Sequence, residues 1–258
     1  MRLDLPESIC FRVTRHCNAR CSFCLAPPDG ASPDYHTLVQ RLHWLQSHGV
    51  KTIHFCGGEP TIHPALPSLL KHVHESGGKT KLTTNGIAIP DDLLSTLRAT
   101  NTGVKVSLHG NCEHHNKIAG VTSFKHTTRN IRRLVAAGVH ASIQTTVVAG
   151  QAWVVDWVAD FCVEAGVRRM SILPFIPRGR GGSSRDDFEL SILQRQKLRV
   201  LVKNKRRAFA GRLDVRWLDF TARPIHVVEA DGSVVLESAT ETMDIVLYKI
   251  PDNMSVVS

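Results

Sequence analysis

The chain has 258 residues, 42% of them hydrophobic, with seven cysteines and a formal net charge of +9. That length suits one domain, or one barrel with a small appendage, able to bury a core without disulfide help. No run approaches the roughly 18–20 apolar residues that span a bilayer, the acidic, proline-broken start at Met1–Glu7 is unlike a signal peptide, and the excess of 32 Lys+Arg over 23 Asp+Glu favours anionic partners; a cytoplasmic protein with no membrane partner is expected.

Residues 9–14 read as a short buried strand that runs into a loop carrying Cys17, Cys21 and Cys24. The turn residues of Pro27-Pro28-Asp29-Gly30 mark a loop. Over 35–48, Leu38, Leu42 and Leu45 recur at helical spacing, and Gly49 ends the helix. A strand over 51–56 leads into Gly57-Gly58-Glu59-Pro60, and a helix follows over 64–75 with Leu66, Leu69, Leu70 and Val73 on one face. The strand at 80–84 runs into Asn85-Gly86. The pattern then predicts a helix at 91–98, a strand at 104–108, a helix at 123–137, a strand at 139–148, a helix at 153–165 and a strand at 169–175. His114 and His115 fall between elements and read as solvated loop. After a loop at 178–187 come a basic helix over 191–207, an apolar stretch at 213–218, and a hairpin with arms 225–230 and 233–236 joined at Asp231-Gly232.

Six β-α repeats of this kind imply an α/β fold with parallel strands and right-handed crossovers, closed as an open doubly wound sheet or as a partial barrel. No G-x-G-x-x-G follows the first strand, which weakens a dinucleotide-binding fold. The unusual residues all fall at strand C-terminal ends, the functional edge of either closure.

Three thiols within eight residues point to a metal in a reducing compartment. Structural zinc takes four ligands, usually as two pairs, and no second Cys-x-x-Cys follows. Three thiolates with an open position suit an iron–sulfur cluster with one unique iron. Spacing alone leaves both metals open and favours iron–sulfur.

The run Val13 to Cys24, with cysteines spaced Cys-x3-Cys-x2-Cys after the first strand, resembles the cluster loop of the radical S-adenosylmethionine (radical SAM) superfamily. Gly57-Gly58-Glu59-Pro60 after the second strand and Thr83-Thr84-Asn85-Gly86 after the third match its further signatures. The resemblance covers roughly residues 9–182 and is nearest the branch with the molybdenum-cofactor GTP cyclase, viperin and the peptide-modifying SPASM enzymes. It implies a partial (β/α)6 TIM-like barrel over 1–182 and a short α+β extension over 183–258 containing the hairpin. It implies one [4Fe–4S] cluster on Cys17, Cys21 and Cys24, whose open iron takes SAM, and an electron donor such as flavodoxin or ferredoxin. SAM contacts are expected from Phe23, Gly57, Gly58, Glu59, Thr84, Asn85, Ser107, Gln144 and Leu173. The glycine pair is expected to let the backbone approach the SAM methionine moiety.

Strand alternation puts Arg12, His54, Lys105 and His109 on the inward, polar faces of their strands. With Arg178 and Arg180 of the glycine-rich loop after the sixth strand, they form a candidate anion site. His109 equally fits a structural hydrogen bonder. The expected activity is therefore hydrogen abstraction from a small anionic substrate such as a nucleotide or phosphorylated metabolite, with a ribosomally made peptide as the alternative. The basic run 203–207 fits a solvated helix end better than a nucleic-acid patch. The hairpin resembles that of SPASM and twitch extensions, but Ile225, Leu236, Glu237 and Ser238 stand where those carry cysteines, so no auxiliary cluster is expected. Cys56, Cys112, Tyr35 and Tyr248 are nominal hydrogen-atom donors.

Overall fold

Short runs rich in β-branched and apolar residues pair side by side in chain order. In the computed structural model, which describes residues 5–25, 30–220 and 224–251, β1 (Ser8–Thr14), β2 (Thr52–Gly57), β3 (Lys79–Thr84), β4 (Gly103–Ser107), β5 (Ala141–Val147) and β6 (Arg169–Pro174) are all parallel to their neighbours. Most of the turn read at 27–30 and the start at 1–4 lie outside the described residues.

The helices are α1 (Tyr35–Ser47), α2 (Leu66–Glu75), α3 (Asp91–Ala99), α4 (Cys112–Ala119), α5 (Phe124–Ala136), α6 (Val154–Glu164), α7 (Arg185–Phe188) and α8 (Ile192–Ala208). Alternation decides which strand face they cover. Phe11, Val13, Phe55, Leu82, Val106 and Ile143 are fully buried in one core with Leu38, Leu42, Leu69 and Leu134 of the helices. Their neighbours in sequence therefore project to the other face, toward the barrel interior.

The last quarter of the chain adds to both edges of the same sheet. β7 (Asp214–Trp217) extends it beyond β6, in parallel. β8 (Ile225–Val228) returns to the opposite edge and pairs in parallel with β1. β9 (Ser233–Glu237) and β10 (Ile245–Lys249) continue antiparallel. The order is β10-β9-β8-β1-β2-β3-β4-β5-β6-β7, with no pairing between β7 and β10, so the barrel is partial and open. The hairpin turns where Asp231-Gly232 placed it, with Gly232 at φ +91°.

Three elements depart from the expected pattern, the short α7 within the stretch read as a loop at 178–187 among them. Residues 112–119, expected as loop, form α4: Asn111 accepts from His114 N at its start, and Gly120 ends it in the left-handed conformation. Eight residues of mostly polar side chains carry too little apolar periodicity to read as a helix. β10 escapes detection for a related reason, since its residues are mostly exposed on both faces. Among the described residues no helix is long and apolar enough to cross a membrane.

Candidate active site

The loop that follows β1 is held by backbone contacts from two sides. From β2, Gly58 N donates to Thr14 O at 2.7 Å and Glu59 N to His16 O at 2.8 Å. From α4, the last carbonyls of the helix, normally without partners, accept from the loop: Arg20 N to Ala119 O at 2.9 Å and Ser22 N to Ile118 O at 3.1 Å. The glycines at these contacts are sterically required. A Cβ on Gly57 would stand 2.3 Å from Thr14 O, one on Gly58 2.1 Å from His16 O, and one on Gly120 2.7 Å from Arg20 O. The close approach that Gly57-Gly58 permits is thus to the cysteine loop itself, a role that the sequence reading assigned to SAM.

Glu59 is similarly committed. Its carboxylate, 1% exposed, accepts from Thr61 N and Thr61 Oγ1, from Thr84 Oγ1 at 2.6 Å and from Asn85 N at 2.7 Å. It ties the end of β2 to the end of β3. Burial still pushes its pKa up despite these four donors. Asn85 extends the tie, since its Nδ2 donates to Asn18 Oδ1 at 2.7 Å in the cysteine loop.

Above these contacts the strand ends enclose a cavity of about 1170 Å³, its open mouth included. Cys17, Cys21 and Cys24 line it together with Phe23, Gly57, Gly58, Glu59, Thr84, Asn85, Ser107, Gln144 and Leu173. Every residue expected to contact the cofactors therefore meets in one space. Ser107 and Gln144 are register partners across β4 and β5. Phe23 stands edge-on to His109 at 4.8 Å between ring centroids.

The expected cations are disposed differently. Arg12 lines the cavity, but its guanidinium is bound by Glu237 at 2.8 and 3.1 Å and by Glu229. Arg178 faces Glu237 at 2.9 Å, Asp244 at 2.6 and 2.9 Å, and Ser238 O. Arg180 donates to Cys21 O at 3.2 Å. His54 Nε2 meets Thr83 Oγ1 at 2.7 Å. His54, Lys105, Arg178 and Arg180 do not line the cavity. The expected anion clamp is thus not assembled, because the carboxylates arriving with the C-terminal strands occupy Arg12 and Arg178. Lys105 lies lower in the barrel, and burial pulls its pKa down.

His109 and His115 complete the wall beneath α4. His115, expected in solvent, is 3% exposed; its Nδ1 accepts from His109 N and its Nε2 pairs with Ser123 Oγ at 3.1 Å. His109 Nδ1 accepts from Thr146 N. Burial depresses both imidazoles, His109 well below its usual value and His115 to about 4, so both are neutral at pH 7. The signal for α4 was present in Asn111 and Gly120, an N-cap and a C-terminal stop with eight residues between them.

The thiols fit a cluster. Burial, with the neighbouring thiols adding to it, raises the pKa of Cys17 and pushes Cys21 up to about 12, so metal binding there displaces protons. Among the described residues no three His, Cys, Asp or Glu side chains converge on a point that a single ion could fill. A cluster makes no such demand, since each thiolate takes a different iron.

Comparison with known proteins agrees. A family model described as the radical SAM superfamily matches residues 11–161. The Fe-coproporphyrin III synthase of Methanosarcina barkeri is 25% identical over 184 residues, 69% of this chain and 46% of that protein. The GTP 3′,8-cyclase of Chlorobaculum tepidum is 32% identical over 130 residues, 48% of this chain and 39% of that protein. The chain thus spans less than half the length of these two relatives. Streptococcus suis SuiB bound to precursor peptide SuiA superposes with a TM-score of 0.77 at 16% identity, over 90% of this chain and 59% of that one. For anSMEcpe with bound AdoMet and Cp18Cys peptide the TM-score is 0.71 at 20% identity, over 90% and 74%.

Proposed function

Because the chain belongs to the radical SAM superfamily, whose enzymes use a [4Fe–4S] cluster and SAM, we propose that Cys17, Cys21 and Cys24 hold the cluster and that the enzyme abstracts hydrogen from an uncharged group of its substrate, within a peptide. SAM on the reduced cluster supplies a 5′-deoxyadenosyl radical, and a flavodoxin- or ferredoxin-like partner supplies the electron. Ser107 and Gln144 make no side-chain hydrogen bond to another described residue, which leaves them available to SAM. Phe23 and Leu173 supply apolar walls, and Glu59 and Asn85 keep the cysteine loop in register with β2 and β3.

One observation carries the substrate class: every basic group on the cavity wall is either paired or neutral. Arg12 is held by two carboxylates, and His109 and His115 are unprotonated at neutral pH. Arg180, beside the cysteine loop, has the Cys21 carbonyl as partner and no carboxylate, but on the wall itself a phosphate meets no unpaired cation among the described residues, whereas an apolar or amide-bearing peptide side chain finds Phe23, Leu25, Ile87, Leu173 and Ile176. Two fold neighbours, SuiB and anSMEcpe, are bound to peptides. A small anionic substrate remains the second reading, favoured by the relatives named as GTP 3′,8-cyclase and nucleotide dehydratase.

Anaerobic reconstitution tests the core of this reading. It should load about four irons per chain, and reduction with dithionite in the presence of SAM should release 5′-deoxyadenosine, lost in Cys21→Ala. A single tightly bound zinc with no iron would sink it. Nucleoside triphosphates that bind the SAM-loaded enzyme more tightly at low salt, where peptides do not bind, would reverse the choice of substrate.

A further inference from the structure

The proposed function leaves unused a half-buried group of polar side chains at the floor of the cavity. Cys10 and Cys56 lie on the inward faces of β1 and β2, where Cys10 is the register partner of His54, and Arg12 that of Cys56. Cys10 lies across from His54, two residues before Cys56 on β2, and His54 Nε2 meets Thr83 Oγ1 at 2.7 Å. Of these two thiols only Cys56 reaches the cavity wall, next to Gly57 and within the space shared by the three cluster cysteines, Ser107 and Gln144.

Resting on the function proposed above, we propose that Cys56 is a catalytic residue, the hydrogen-atom donor that quenches the substrate radical. The other nominal donors are elsewhere. Cys112 is exposed on α4, Tyr35 is 45% exposed, and Tyr248 stacks on Trp44 at 5.1 Å; none of them lines the cavity.

The environment keeps Cys56 in the form that has a hydrogen to give. The neighbouring Cys10, together with burial, holds its pKa well above the usual thiol value, so Cys56 is a thiol at neutral pH. A thiolate at the cavity wall would have no hydrogen atom to transfer.

The 5′-deoxyadenosyl radical takes a hydrogen atom from a substrate C–H bond, giving 5′-deoxyadenosine and a substrate radical. That radical takes the hydrogen atom of Cys56 S–H, forming a C–H bond and leaving a thiyl radical on Cys56. One electron from the reductant that serves the cluster, with one proton, restores the thiol. The product then has the same hydrogen count as the substrate, so the overall change is a rearrangement or inversion at carbon, at the expense of one SAM and two electrons.

The test needs no identified substrate. Reconstituted enzyme with SAM and dithionite in D2O carries Cys56 as S–D, and a radical formed without substrate meets that bond. The 5′-deoxyadenosine released should contain one solvent-derived deuterium. In Cys56→Ser, which preserves volume but offers a poor hydrogen-atom donor, the labelled fraction should fall at least fivefold while the iron content is unchanged. Cys10→Ser should retain the label. Equal label in parent and Cys56→Ser, or loss confined to Cys10→Ser, would overturn the assignment of Cys56. Absence of any 5′-deoxyadenosine from the parent enzyme would overturn the underlying function and this proposal with it. As an independent measure, mass mapping of the iron-free protein after brief iodoacetamide treatment should find Cys56 modified before the fully buried Cys162, and protected Cys56 would count against its access to the cavity.

Discussion

At the scale of single residues, the site is governed by contacts too close for any side chain and by a carboxylate with no spare capacity. Gly58→Ala would drive a methyl group into His16 O, 2.1 Å away. Because the neighbour is backbone, relief can come only from moving the cysteine loop. Iron retained after reconstitution should fall from about four per chain to well under one, with the thermal midpoint changing less than the iron content. Glu59→Ala leaves the Thr84 hydroxyl and the Asn85 and Thr61 amides without their buried acceptor. Urea denaturation should show a loss of roughly 2–4 kcal/mol, and Glu59→Gln a smaller one, since its amide retains one accepting oxygen. Cys17, Cys21, Cys24, Gly57, Gly58 and Glu59 were all legible as a constellation, because their spacing is local in sequence. What Glu59 touches was not, because Thr84 and Asn85 come 25 and 26 residues later.

At the scale of elements, α4 matters more than its eight residues suggest. Its C-terminal carbonyls hold Arg20 N and Ser22 N, and its buried His115 supports His109. Both imidazoles titrate below the ordinary value of 6.5 in the folded protein. Below pH 6.5 the unfolded chain therefore binds protons that the folded chain does not, so this part of the stability is complete above pH 6.5 and declines as pH falls toward about 4. For His115 alone the loss at pH 5 is about 2 kcal/mol relative to pH 7.5. Thermal midpoints measured at the two pH values should differ less in His115→Gln than in the parent. The α/β alternation was readable because each long helix has an apolar stripe and each inner strand an apolar face. Helix α4 has neither, and it is stabilised by the loop it packs on, which lies about ninety residues earlier in the chain.

At the scale of the whole molecule, the partial barrel is fastened by a buried charge network. Arg12 on β1 and Arg178 in the segment after β6 share Glu237 of β9, and Asp244 before β10 holds Arg178 again. The network joins the β6 end of the sheet to the strands added beyond β1, and Arg180, two residues on, reaches the cysteine loop. Glu237→Ala removes the carboxylate shared by two buried guanidiniums, leaving Arg12 on Glu229 and Arg178 on Asp244, and should destabilise the protein by roughly 1–3 kcal/mol in chemical denaturation. It should also lower retention of the cluster, a coupling that iron analysis at partial urea can detect.

Residue pattern alone specifies the parallel α/β architecture, the Cys-x3-Cys-x2-Cys loop and the edge of the sheet that carries the candidate site. Strand and helix periods, cysteine spacing and turn glycines are local properties, and they survive without knowledge of neighbours. Only the tertiary structure decided which charges are free. Arg12 looked like an inward cation until Glu237, 225 residues away, was brought beside it. The same long-range pairing turned Arg178 from a substrate clamp into a fastening of the barrel. It also left a cavity whose polar wall includes Ser107, Gln144 and the thiol of Cys56. Charge complementarity depends on what folding places within a few ångströms, and sequence separation carries almost no information about that.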